Sequence, residues 1–203
     1  MPEAAAAGVP VSRRFRRLPP AWRPSDPTTN PPSPMPEAPP QPSAPPPGAC
    51  GVCRLHADPE ARDRWQIGSD ELWLLRHHPD PAPMAGWLIL DAVRHLGGPI
   101  DFRPQEAAAW GGAVQRASRL VQALTGCERV YAIAFGEGAR HLHLHLIPRR
   151  EGDAGTEAWA VADLYRAVAS GSRPAADPAA VAELVARARA LWGAAGDGPT
   201  LAP

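Results

Sequence analysis

Between residues 141 and 149 the chain reads His-Leu-His-Leu-His-Leu-Ile-Pro-Arg. Successive side chains of a β-strand alternate faces, so His141, His143 and His145 would line one side and Leu142, Leu144 and Leu146 the other. The leucines suit a core-facing surface. Three adjacent imidazoles bring no packing that Val or Ile lacks, which points to chemistry. Three uses stand open at this point. The rings could be ligands of a catalytic zinc. A central nucleophile could be flanked by residues that orient it and bind an anion. Or the strand could be a solvated edge that is rich in His. Against the first, the outer two positions lie about 13 Å apart along a strand, far beyond the reach of zinc–nitrogen bonds near ~2.1 Å.

Cys50-Gly51-Val52-Cys53 has the spacing of half a zinc site or of a thiol–disulfide motif. Redox activity would want a strand leading into a helix, and only a Pro-rich coil precedes this pair. The third cysteine, Cys127, reads as a small apolar residue. Three cysteines make no disulfide framework, so a reducing, cytoplasmic setting is expected. No apolar run reaches the roughly 18–20 residues of a membrane helix.

The chain has 203 residues, with 21 Arg against 21 acids and no Lys, so net charge offers no argument for nucleic acid polymers or membranes as partners. Proline is concentrated in residues 1–47, where 16 of the 27 prolines fall and no helical or strand period exists. That stretch is expected to be a disordered, Pro-rich tail. From residue 48 the pattern is ordered. Arg64–Ile67 and Leu72–Arg76 read as short strands around a turn at 68–70, and Trp87–Leu90 as a buried strand. His77 and His78 are expected in an exposed loop before Pro79. After Pro104, apolar residues at steps of three and four (Ala107, Trp110, Val114, Ala117, Val121, Leu124) mark a helix of about six turns closed by Gly126. Val130–Phe135 and the histidine run complete the strands. Two further helices follow Gly155, the second opened by Asp177-Pro178. Trp65, Trp73, Trp87 and Trp110 are expected in the core.

The histidine run, with Pro148-Arg149 after it, resembles the motif of the histidine triad (HIT) superfamily. The Cys-x-x-Cys pair, the apolar strand from Gly86 ending in Arg94-His95, and the long helix before the triad match that family too. The resemblance covers about residues 48–150 and is nearest to the bacterial branch labelled diadenosine tetraphosphate hydrolase-like. It implies an α+β domain in which a long helix packs on an antiparallel sheet; the C-terminal helical extension over 151–203 and the Pro-rich tail lie outside the resemblance. It implies a nucleotide hydrolase or transferase in which His143 attacks an α-phosphorus, while His145 donates to a phosphate oxygen or the leaving group. Substrates would be a dinucleoside polyphosphate or a nucleoside phosphoramidate, and the assembly a homodimer. It also implies a structural zinc on Cys50, Cys53, His95 and His141, with no metal needed for the chemistry; His56 is a lesser candidate ligand. Where many members place a Gln and a Ser or Thr shortly before the triad, this chain has Gly136 and Glu137. Phosphate contacts would then fall to Gly138, Arg140 and Arg149. The alternative is a zinc-stabilised nucleotide-binding module with little turnover.

Overall fold

The computed structural model describes residues 50–136 and 138–194. The expected tail at 1–47 lies outside these residues, as does Glu137. Five strands form one antiparallel sheet: β1 (Gln66–Ser69), β2 (Trp73–His77), β3 (Leu88–Ala92), β4 (Arg129–Ile133) and β5 (His143–Arg149). Their spatial order is β1-β2-β3-β5-β4. Among the described residues, five α-helices accompany it: α1 (Gly51–Ala57), α2 (Pro59–Trp65), α3 (Pro104–Thr125), α4 (Ala158–Ala169) and α5 (Pro178–Ala194).

The two faces of the sheet bury different things. Trp73, Leu75, Leu88, Leu90, Ala92, Leu144 and Leu146 point to one side, where α3 supplies Ala117, Leu120, Val121 and Leu124. On the other side Ile89, Ile147 and Trp87 meet Val161 of α4, with Tyr131, Ile133, Phe135 and Tyr165 packed around them. In the antiparallel ladders Asp91 pairs with His143 and Ile89 with His145. Directly opposed residues share a face, so both triad histidines on β5 stand on this second side.

The long helix forms as its apolar period requires. Pro104 occupies the first turn, and the Arg103 backbone N–H donates to Glu106 Oε2 at 2.6 Å. Arg94 donates to both oxygens of Glu106, at 2.9 and 2.7 Å, which fixes the helix start beside His95. Gly126 ends it in the left-handed region, φ 66°, with its N–H on the Gln122 carbonyl at 2.8 Å.

Two expectations need correction. Arg64 and Trp65 end helix α2 and do not begin a strand, because Asp58 caps that helix by accepting from the Glu60 N–H at 2.9 Å and Pro59 starts it. The strand of the histidine run begins at His143, two residues late. The Leu142 N–H bonds to the Leu96 carbonyl and so holds His141 and Leu142 in the approach to the strand. Val181, Leu184, Val185 and Ala188 of α5 belong to the same cluster of buried side chains as β2, β3, β5 and α3.

Candidate functional site

The first cluster lies where the start of α1 meets the approach to β5. Cys50 immediately precedes α1 and Cys53 sits in its first turn. Cys50 Sγ is 3.5 Å and Cys53 Sγ 3.4 Å from His141 Nδ1, and Cys53 Sγ is 3.3 Å from His95 Nδ1. All four donor atoms lie within 4.8 Å of one another. Bonds of about 2.3 Å to sulfur and ~2.1 Å to nitrogen in a tetrahedron fit such spacings. The tautomer fits as well. His141 Nε2–H donates to the Ala92 carbonyl at 2.7 Å, leaving the Nδ1 lone pair turned to the sulfurs. Burial, the Cys50 hydrogen bond and the Cys50 charge push the Cys53 thiol up to about 11, so an ion must displace protons to bind here. The residues present therefore suit a Cys2His2 metal. His56 is engaged elsewhere, its Nε2 lying 2.9 Å from Asp91 Oδ2.

The second cluster is the triad itself, and its rings do not converge on one point. His141 turns to the cysteines. His143 Nδ1–H donates to the His141 carbonyl at 2.5 Å, so Nε2 of this half-buried ring keeps its lone pair. His145 is buried, and its Nδ1 accepts from the Trp87 indole N–H at 2.9 Å. A single zinc held by all three rings is not the arrangement found. Burial first, and then the neighbouring His143, His78 and Arg76, push His145 down to about 3, which keeps the ring neutral.

Four aromatic side chains enclose His145. Trp87, Phe135, His78 and Tyr165 have ring centroids 5.7, 5.0, 6.0 and 5.9 Å from it, and Phe135 stacks on Tyr165 at 12°. Tyr165 comes from α4, beyond the stretch that carries the family resemblance. His78 overturns its expected place in an exposed loop. It is 8 % exposed, its Nδ1–H bonds to the Pro79 carbonyl at 2.7 Å, and burial lowers it to about 4. His77 is wholly buried, and its Nε2 accepts the Gly86 N–H at 3.0 Å. Trp73 and Trp87 are core residues, whereas Trp65 and Trp110 are half-buried.

Beside His143 lies a charged pair that the sequence reading passed over. Arg76 Nε and Nη2 reach the two oxygens of Asp91 at 2.6 and 3.2 Å, and both residues are buried. Burial alone would raise the Asp91 carboxyl. The Arg76 guanidinium and the His56 hydrogen bond outweigh it and hold the carboxyl at about 2. The available signal was an acid inside the apolar run Leu-Ile-Leu-Asp-Ala and an arginine inside Trp-Leu-Leu-Arg.

The expected phosphate contacts divide. Gly138 and Arg140 are exposed in the β4–β5 loop, on the approach to the triad. Arg149 is at the far end of β5 and is committed to its own loop, with Nη1 donating to the carbonyls of Arg150 and Asp153 and to Thr156 Oγ1. The structure does not bring it to His143.

No protein-family model matches the sequence, and no curated protein sequence matches it. Solved structures do. A zinc-bound histidine triad family protein from Mycobacterium smegmatis superposes with a TM-score of 0.53 at 19 % identity, over 74 % of this chain and 99 % of that one. A histidine triad protein from Bradyrhizobium japonicum gives a TM-score of 0.48 at 24 % identity, over 66 % of this chain and 94 % of that one. The five-stranded antiparallel sheet with its long helix, carrying His143 and His145 on one face, is the fold of the histidine triad proteins.

Proposed function

We propose that the protein transfers or hydrolyses nucleotidyl groups at the α-phosphate of a dinucleoside polyphosphate or nucleoside phosphoramidate, through a covalent intermediate on His143. The observation that carries this reading is the 2.5 Å bond from His143 Nδ1–H to the His141 carbonyl. It fixes one ring nitrogen as a donor and leaves the other as a neutral nucleophile. Nε2 of His143 attacks the α-phosphorus, a P–N bond forms, and the bond to the leaving group breaks. His145 Nε2–H keeps its proton and donates a hydrogen bond to a phosphate oxygen or to the leaving group, which takes any proton it needs from water. Water then attacks phosphorus, releases the nucleoside monophosphate and restores His143. Gly138 and Arg140 would meet the phosphates.

Cys50, Cys53, His95 and His141 would hold a structural zinc. Bound there, zinc would supply a cross-link between the start of the domain and the triad. His141 then has two roles: its ring faces the metal and its carbonyl orients the nucleophile. The same reading makes the protein a cytoplasmic homodimer, with its three free cysteines suited to a reducing compartment.

A second reading, a nucleotide-binding module with little turnover, is favoured by one observation: His145 is 2 % exposed beneath Tyr165. Rapid quench of the protein with adenosine phosphoramidate or diadenosine tetraphosphate, followed by intact mass, separates the two. An acid-labile adduct of one adenylate, absent from His143→Ala, is the expected result. Nucleotide binding without adduct or turnover would establish the second reading, and turnover that persists in His143→Ala would overturn the mechanism.

A further inference from the structure

The His145 ring has one nitrogen satisfied and one not. Its Nδ1 lies 2.9 Å from Trp87 Nε1, and its Nε2 is buried with no hydrogen-bond partner among the described residues. An indole nitrogen can only donate. Nδ1 must therefore accept, and in a neutral imidazole the proton must then sit on Nε2. Buried donors are paired in the great majority of cases, so one without a partner calls for an explanation. Here the unpaired donor stands on the same sheet face as His143, whose ring centroid is 5.3 Å away.

The other neighbours cannot impose this choice. Phe135 has no polar atom, and no hydrogen bond joins His145 to Tyr165 or His78. The Nδ1–H of His78 is spent on the Pro79 carbonyl. Trp87 itself is immobile: it is wholly buried, precedes β3, and packs with Ile89, Ile147 and Val161. Its backbone is fixed too, since the Trp87 carbonyl accepts from the His78 N–H at 2.9 Å.

We propose that Trp87 is a positioning residue that locks His145 in the Nε2–H tautomer, so that the ring presents a single fixed donor to a phosphoryl oxygen or a departing group. This rests on the reading of His143 as nucleophile for its catalytic meaning, but the tautomer itself does not depend on turnover. The deduction is geometric: one obligate donor, one ring, and one nitrogen left to face the reacting atoms. A donor of this kind is worth most where its orientation is set before the substrate arrives.

The test is the tautomer of His145 in the full-length protein, read from two-bond 1H–15N couplings of labelled histidine, with the resonance assigned by His145→Gln. Nε2–H with a bare Nδ1 is expected in wild type, and an Nδ1–H signal for this ring would overturn the proposal without any variant. In Trp87→Phe, which removes the N–H and keeps a buried ring, a mixture of both tautomers is expected. A ring that stays wholly Nε2–H there would show that something else fixes it and would also overturn the proposal. With an active substrate in hand, Trp87→Phe should lower kcat about tenfold with little change in KM, and Trp87→His, which restores a ring N–H, should recover part of the loss. Absence of turnover in wild type would count against the nucleophile reading and leave the tautomer result standing.

Discussion

At the scale of single residues, the charged pair beside His143 shows how costly an uncompensated buried ion would be. Asp91 is wholly buried and is held by side-chain contacts from Arg76 and from His56. Removing Arg76 leaves the buried carboxylate with its His56 contact but without the guanidinium that offsets its charge. Arg76→Met should therefore lower unfolding free energy by about 3–5 kcal/mol in urea titration, and Arg76→Met with Asp91→Leu should regain most of that. A double variant as unstable as the single one would show that the loss is packing and not charge. The placement of His143 and His145 on one sheet face was legible in the sequence, because residues spaced by two on a strand share a side. The neighbours were not. Arg76, Asp91, His78 and Trp87 come from two other strands and a loop, and only the β2–β3–β5 register sets them around the rings.

At the scale of elements, the parts with a strong local signature were readable: α3 with its three-and-four period, and α5 with Asp177-Pro178. The short α2 carries the same cap chemistry at Asp58-Pro59, yet seven residues offer too little periodicity to distinguish it from the strand that follows. What no local pattern reveals is docking. The loop between β2 and β3 is one case. Gly86 holds φ 89° and its N–H is bonded to His77, while an added Cβ would collide with the Thr125 methyl. Gly86→Ala should destabilise by at least about 1–2 kcal/mol from the backbone alone, and Thr125→Ser should relieve part of the remainder. An unchanged melting temperature for Gly86→Ala would contradict both claims. The Cys2His2 cluster is likewise an inter-element device: the start of α1, the segment after β3 and the approach to β5 each contribute. Chelation at neutral pH should lower the melting temperature, and metal uptake should release protons, as calorimetry in buffers of different ionisation enthalpy would register. Equal melting curves with and without chelator would refute a structural ion.

At the scale of the whole molecule, burying several histidines sets the response to acid. His145 and His78 sit at about 3 and about 4 in the folded state, below an ordinary value of 6.5. As pH falls below that ordinary value, the unfolded chain takes up protons at both rings and the folded chain does not. Each ring then removes up to about 1.4 kcal/mol of stability per pH unit. Asp91 works further down. Its folded value of about 2 lies below its ordinary 3.8, so the stability it contributes is present above 3.8 and lost as pH drops towards 2. Urea unfolding should therefore weaken steadily from pH 6.5 to 4, and His78→Gln should flatten that slope. An identical slope in the variant would remove His78 from the account.

Among the described residues, helix α5 joins the core from well beyond the strands in sequence. Val181, Leu184 and Val185 extend the core that α3 begins, with α5 packed against α3 and β1, and Cys50 meets His141 across 91 positions of chain. During synthesis, the strands and the triad would leave the ribosome long before the side chains that bury them. Helix α3 covers β3 and β5 first, the β1 side must then wait for α5, and contacts this distant in sequence close slowly. A chain stopped before Pro178 should hold every residue of the chemistry and still bind the chaperones that recognise exposed apolar strands.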